Sequence, residues 1–366
     1  MAANIERFKV HVENDVLDDL RARLARTRLA EPFDDPRWDY GMPVADVRAL
    51  VEYWRDEYDW RAQEARLNEF EHFRTNIDGQ SIHFIHVRAA DDDALPLLLM
   101  HGWPGSIVEF LDAIPRLTDE FHVVVPSLPG YAFSEPTRTR GWDPARIARA
   151  FMELMTRLGY ERYGAQGGDW GAQVGTRIGA LDPEHCVALH LNMPLANPCD
   201  VKLTEQEQAD LAALAAFRKE ESGYSLEQGT KPHTLGVGLG DSPAGLLAWI
   251  VEKFRAWSDC DGDIASRFSM DELLTTITIY WVTETINSAN RLYRERALSN
   301  DTPEFVPVPT GVARFPKEPL RYPRSWVERS YNVTRWVDMA RGGHFAAMEQ
   351  PELFADDVRT FFRTLT

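Results

Sequence analysis

The segment Gly167-Gly168-Asp169-Trp170-Gly171 places a carboxylate where the chain turns from a strand into a helix. A strand-like run, Arg162 to Gln166, precedes it. After it, Val174, Ile178 and Leu181 recur at four- and three-residue spacing, and Pro183 closes the helical pattern. Small residues on both sides suit a tight turn whose backbone crowds its neighbours. Such a turn is the nucleophile-elbow pattern, which holds a reactive side chain clear of a sheet. An Asp at its centre is ionised near neutral pH. It can attack an electrophilic sp³ carbon and form an alkyl ester, which an activated water then cleaves. The same Asp could instead be an ordinary helix N-cap. The choice depends on whether the chain also supplies a base, an acid partner and an oxyanion site.

An acid near Glu318 and then His344 follow Asp169, each just after a strand-like run. Nucleophile, acid, histidine is the chain order of α/β-hydrolases, whose sites sit at the carboxyl ends of the strands. Glu318 lies in the loop Phe315-Pro316-Lys317-Glu318-Pro319. Glu304, Asp301 and Asp338 are alternatives, but the first two precede the resumed sheet and Asp338 lies inside the strand before His344. His344 follows Gly342-Gly343, so its backbone is free to take a loop geometry. His101-Gly102-Trp103-Pro104-Gly105 ends an earlier strand. In α/β-hydrolases this loop and the residue after the nucleophile each give a backbone N–H to an oxyanion hole, which selects Trp103 and Trp170. A rigid turn is the plainer reading of the same loop. No G-x-S-x-G occurs, which disfavours serine esterase chemistry. The substrates left for an Asp nucleophile carry a leaving group on carbon: an epoxide, whose oxygen becomes an alkoxide and needs a proton, or an alkyl halide, which needs only N–H donors.

Four stretches must position these groups. Residues 1–75 read as an amphipathic helical extension, with a stripe at Val16, Leu17, Leu20 and Leu24, a turn-rich piece at 32–43, and an aromatic helix over 44–70 carrying Trp54 and Tyr58. These aromatics need a partner surface, so the extension is expected to pack on the main body. Residues 76–193 alternate strands and helices, the pattern of a mostly parallel sheet covered on both faces. Asp78-Gly79 signals a hairpin at its start. Ile107 to Leu117 reads as a helix, and His83 and His86 fall on opposite faces of a strand, a poor arrangement for a shared metal. Over 194–303 the alternation stops. Helix starts at Thr204/Glu207, Ser242-Pro243 and Ser269/Glu272 make this a helical cap, its third helix running to about Leu298. Asp259, Asp261 and Asp263 alternate as in a calcium loop but lack its Gly and closing Glu, so a solvated loop is expected. The sheet pattern resumes over 304–366 and ends in a helix opened by Pro351.

Acidic residues outnumber basic ones 57 to 40, a net charge of -17 that argues against nucleic acid or an anionic membrane as partner. The three cysteines, Cys186, Cys199 and Cys260, are too scattered for a disulfide framework or zinc site. They fit a reducing compartment, and a cytoplasmic location is expected. No apolar leader or spanning run is seen.

Taken together, Gly-Gly-Asp-Trp-Gly at 167–171, His-Gly-Trp-Pro-Gly at 101–105, Phe-Pro-Lys-Glu at 315–318 and Arg-Gly-Gly-His-Phe-Ala-Ala at 341–347 resemble the microsomal-type epoxide hydrolases. The extension and the cap segments Thr230-Lys231-Pro232 and Asp241-Ser242-Pro243 are similar too, so the resemblance covers nearly the whole chain. It implies an α/β-hydrolase fold with a wrapped extension and a helical cap. It implies Asp169 as nucleophile, Glu318 as the acid orienting His344, and His344 as base. It further implies Tyr224 and Tyr293 as the cap tyrosines that activate the epoxide oxygen, with Tyr280, in an apolar run, as rival for the second role. The expected reaction is cofactor-free and metal-free conversion of a small apolar or aromatic epoxide and water to a vicinal diol. Membrane-bound members begin with an apolar anchor; this chain starts in the extension, so a soluble protein without an anchor is expected. A homodimer is among the assemblies left open. Two alternatives stand beside the epoxide reading: a haloalkane dehalogenase, although Trp103 stands where that family places an Asn, and a catalytically silent binder, which would have no need of the Asp/Glu/His set.

Overall fold

The computed structural model describes residues 4–32, 34 and 37–365. Among the described residues, nine strands form one sheet in the order β1-β2-β3-β5-β4-β6-β7-β8-β9. They are β1 (Ile5–Phe8), β2 (His72–Ile77), β3 (Gln80–Val87), β4 (Leu95–Met100), β5 (Phe121–Pro126), β6 (Tyr163–Gly167), β7 (Cys186–Leu191), β8 (Val306–Arg314) and β9 (Tyr331–Asp338). The first three and the β3–β5 pair are antiparallel, and every pair from β5 onward is parallel. The parallel strands β4 and β5 are buried almost throughout, as expected for strands covered on both faces.

The helices are α1 (Asn14–Ala25), α2 (Val44–Asp56), α3 (Trp60–Leu67), α4 (Ile114–Leu117), α5 (Pro144–Arg157), α6 (Asp169–Leu181), α7 (Glu205–Glu220), α8 (Gly223–Thr230), α9 (Pro232–Asp241), α10 (Pro243–Trp257), α11 (Met270–Val282), α12 (Ile286–Leu298), α13 (Arg324–Ser330), α14 (Ala346–Glu349) and α15 (Pro351–Arg363). Helices α7 to α12 form the insertion between β7 and β8. The capping boxes at Thr204/Glu207 and Ser269/Glu272 form, and Ser242 accepts from Gly245 N–H with Pro243 at the helix start.

The sequence expectation fails in several places for local reasons. The extension is not wholly helical: β1 pairs antiparallel with β2, adding an edge strand. Its outer limit at residue 75 falls inside β2. The aromatic helix divides because Asp59 caps α3 with bonds to Arg61 and Ala62 N–H. Within the turn-rich piece, Phe33, Asp35 and Pro36 lie outside the described residues. The helix expected over 107–117 is a 3₁₀ turn, Ile107–Phe110, followed by α4, whose Pro115 stands at the helix start. The long third cap helix breaks between α11 and α12, where Glu284 takes a φ of 55°. The Asp78-Gly79 hairpin forms, with both residues at positive φ (52° and 76°), the signature of a type I′ turn.

The extension straps the cap to the core. From α2 and the turn after it, Tyr53 Oη donates to Asp271 at 2.9 Å, Trp54 Nε1 donates to Thr278 at 3.0 Å, and Tyr58 shares a 3.0 Å bond with Thr275. All three partners lie on α11. On the core side Arg66 pairs with Asp112 at 2.9 Å, and within the extension Val10 and Val12 N–H donate to Asn68 and Glu64. The aromatic stripe therefore buries against the cap, and its polar tips find partners there.

Candidate active site

The carboxyl ends of β4, β6 and β7 meet beneath the cap. Asp169 opens α6 just after β6, with Gly168 in the cap position and no side-chain bond closing the helix end. Its φ is 46°, in the left-handed region, which costs an L-residue roughly 1–2 kcal/mol. The N-cap reading of Asp169 therefore fails. The carboxylate is taken instead by the loop after β4: Trp103 N–H donates to Asp169 Oδ1 at 2.8 Å. Trp170 follows in the first turn of α6, where backbone N–H groups have no intrahelical acceptor. Gly171 lets this turn lie on β4, since a Cβ there would stand 2.0 Å from the Met100 carbonyl oxygen.

His344 comes from the loop after β9. Its Nδ1 lies 2.8 Å from Glu318 Oε2 and its Nε2 lies 3.5 Å from Asp169 Oδ2. Glu318 is 3% exposed, and its other oxygen accepts from Leu320 N–H. Of the alternative acids, Asp338 pairs with Arg314, Asp301 offers its backbone carbonyl to Arg177, and Glu304 is exposed. Burial alone would lower the His344 pKa. The charges of Glu318 and Asp169 outweigh it and hold the imidazole well above its ordinary value. With Nδ1–H directed to Glu318, Nε2 is the nitrogen that faces Asp169.

The cap closes the site with aromatic rings. Tyr224, on α8, stacks on Trp103 at 5.0 Å, and Tyr293, on α12, meets Trp170 edge-on at 4.7 Å. The two tyrosine rings lie 5.8 Å apart. Burial first, then the charge of Asp169 among other groups, pushes both hydroxyls well above the ordinary tyrosine value, so both remain protonated. The rival Tyr280 is tied down: its hydroxyl donates to the Gly105 carbonyl at 2.9 Å. Asp169, Glu318, His344, Trp103, Trp170, Tyr224 and Tyr293 thus gather in one place.

Sequence reasoning missed how the His344 loop is fastened. His344 N–H donates to the Trp257 carbonyl at the end of α10. Asp259, expected in a solvated loop, accepts from Gly342 N–H at 2.9 Å. Only part of that loop is solvated: Asp261 pairs with Lys317 at the surface, and Asp263 caps a short 3₁₀ turn. Glu349 accepts from Asp259 and Phe345 N–H, joining cap to loop. Glu109 was missed as well. It lines the innermost part of the site with Asp169 and His344, and the signal was an acid set inside the apolar run Ile107-Val108-Glu109-Phe110-Leu111.

Comparison with known proteins finds relatives that match nearly the whole chain. The family described as epoxide hydrolase N terminus matches residues 5–110, and the alpha/beta hydrolase fold matches residues 96–232. A putative epoxide hydrolase of Stigmatella aurantiaca is 48% identical over 99% of this chain and 85% of its own. Epoxide hydrolase 1 of Sus scrofa is 41% identical over 99% of this chain and 89% of its own. Among solved structures, the juvenile hormone epoxide hydrolase of Bombyx mori superposes with a TM-score of 0.93 at 32% identity, covering 99% of this chain and 95% of that one. The Aspergillus niger epoxide hydrolase does so with a TM-score of 0.90 at 34% identity, covering 100% and 97%. With relatives of this identity matched from end to end, the chain belongs to the microsomal-type epoxide hydrolase family.

Proposed function

We propose that the chain hydrolyses an epoxide to a vicinal diol through a covalent ester on Asp169. The observation that carries this reading is the division of labour between the two oxygens of Asp169. Oδ1 is held by Trp103 N–H at 2.8 Å, while Oδ2 faces His344 at 3.5 Å and is the oxygen left to attack. Attack of Oδ2 on a ring carbon breaks the C–O bond of the epoxide and places the electron pair on its oxygen. Tyr224 and Tyr293 lie on the cap side with their protons retained, and one of them supplies the proton that the alkoxide takes up. Water then adds to the ester carbonyl carbon, with His344 Nε2 taking its proton. The negative charge develops on Oδ1, where the Trp103 N–H already points. Collapse breaks the bond from the carbonyl carbon to Oδ2, and the diol oxygen leaves with the proton from His344. The tyrosine that protonated the alkoxide has by then taken its proton back from His344. The second proton of the water, left on the new carboxyl, passes to His344 in its place, and the Asp169 carboxylate is regenerated.

A small apolar or aromatic epoxide suits a site walled by Trp103, Trp257, Tyr224 and Tyr293. The test is a single turnover of styrene oxide in heavy-oxygen water with enzyme in excess. The covalent route places a light oxygen from Asp169 in the first diol and leaves the label in the protein. Heavy oxygen entering that first diol directly would refute it. A parallel assay with 1-bromobutane checks the leaving group: bromide release with no diol from any epoxide would move the reading to dehalogenation.

A further inference from the structure

Behind Asp169, on the side away from the cap, lies a cavity of ≈ 10 Å³. That is about the space one water molecule needs. Its wall includes Asp169, His344, Glu109, Gln166, Asn192 and His101. Beside these polar groups stand the apolar side chains of Met100, Phe110, Phe345 and Phe354. Gln166 is 1% exposed and gives its Nε2 to Asn192 Oδ1 at 2.7 Å, which leaves its buried Oε1 with no protein partner. Glu109 has intermediate exposure and lines this chamber.

Glu109 reaches the chamber by folding back over the loop that follows β4. A Cβ added at Gly105 would stand 1.6 Å from Glu109 Oε1, so this carboxyl lies directly on the Gly105 backbone. The same loop is held from the other side by Tyr280, through the Gly105 carbonyl. The backbone of Gly102 and Ser106 favours the ionised form of this carboxyl, but less than burial disfavours it. The loop that carries the Trp103 N–H therefore also fixes Glu109.

We infer that this chamber holds the hydrolytic water, and that Glu109 is the positioning residue that orients it toward the Asp169 ester. The inference rests on the proposed ester mechanism. A water there has three demands to meet. One hydrogen goes to His344 Nε2, its oxygen lone pair must face the ester carbonyl carbon of Asp169, and its second hydrogen needs an acceptor. Glu109 and the unpaired Gln166 Oε1 are the acceptors in the chamber wall. No group beyond those already named enters the reaction: the water oxygen bonds to the carbonyl carbon, the proton passes to His344 and then to the departing diol. Burial, the largest influence, pushes the Glu109 carboxyl up to about 8, so near neutral pH it adds no charge beside the developing oxyanion.

The experiment separates the two half-reactions. Rapid mixing with styrene oxide follows alkylation by tryptophan fluorescence, and quenched-flow mass spectrometry follows loss of the ester. Glu109→Ala is expected to alkylate within about twofold of the wild-type rate and to hydrolyse the ester about tenfold slower or worse, since one hydrogen bond to the water is lost. Glu109→Gln retains an acceptor oxygen and is expected to recover most of the hydrolysis rate. Should Glu109→Ala fail to fold, Glu109→Gln and Gln166→Leu carry the test, the latter slowing hydrolysis alone. Equal slowing of both half-reactions, or an unchanged ester lifetime in Glu109→Ala, overturns the inference. Absence of any ester in the wild type would instead overturn the mechanism beneath it.

Discussion

Replacing Gly171 by Ala tests how closely α6 must lie on β4. The added Cβ would meet the Met100 carbonyl oxygen at 2.0 Å and the Met100 carbonyl carbon at 2.6 Å, both backbone atoms, and real Cβ atoms essentially never come within 3.0 Å of such neighbours. The helix must therefore retreat by at least about 1 Å, because strand β4 is fixed between β5 and β6. Asp169 moves with α6, whereas Trp103 stays with the loop after β4. Their 2.8 Å bond then lengthens to about 3.8 Å, beyond hydrogen-bond range. A misplacement of about 1 Å at reacting groups costs about 100-fold in rate, and overpacking costs about 1–3 kcal/mol of stability. We expect kcat/KM for styrene oxide to fall about 100-fold or more and the melting temperature to fall by a few degrees. Gly238→Ala is the control: it lies on α9 with nothing within 4 Å, and helix propensity there favours Ala. A Gly171→Ala enzyme with wild-type kcat/KM and melting temperature would show that the tight seating of the elbow does not set the geometry of the site.

The remaining predictions concern protons. Tyr224→Phe and Tyr293→Phe are each expected to slow alkylation roughly 10- to 100-fold, and the double variant further still, read by stopped-flow fluorescence; an unchanged alkylation rate in both single variants would remove the tyrosines from the mechanism. Glu349 carries a carboxyl pushed up to about 7, first by burial. The folded state holds this proton to higher pH than the unfolded chain, so its contribution to stability is present below about 4.5 and is lost as pH rises through about 7. Glu349→Gln should remove that decline, so the wild-type minus variant difference in melting temperature should fall across this window; a difference that does not change with pH would contradict the assignment.

The site was more legible in the sequence than the fold around it, and for a physical reason. Asp169, Glu318 and His344 each sit just beyond a strand, and their residue types have few structural uses at that place, so type and spacing point to them directly. Boundaries that depend on a single local competition were not legible. Asp59 captures Arg61 and Ala62 N–H and starts a new helix where apolar periodicity runs on. Glu284 turns into positive φ inside a run that looks continuously helical. Strand β1 has no pattern of its own, since its four residues are at most partly buried and exist as a strand only because β2 offers an edge. Asp259 and Glu349 escaped notice because their work is tertiary: they accept N–H groups from a loop about 80 residues or more distant or from one another's segments.

The position of His344 between two carboxylates gives the proposed reaction its order. In the free enzyme both charges favour the imidazolium, which cannot act as a base. Alkylation converts Asp169 to a neutral ester and removes one of the two anions that hold the proton. Glu318 remains at 2.8 Å and keeps the other ring nitrogen oriented; the proton of Nε2 passes to the tyrosinate left when the alkoxide was protonated, so Nε2 becomes available on the side where the ester now stands. The base is thus made by the step that creates its substrate. Were His344 neutral at the outset, it could direct water toward the epoxide itself and bypass the ester. The chamber behind Asp169 fits the same sequence of events, because a water held there can reach the carbonyl carbon of an ester on Asp169, while the carboxylate itself stands between that water and an epoxide on the cap side.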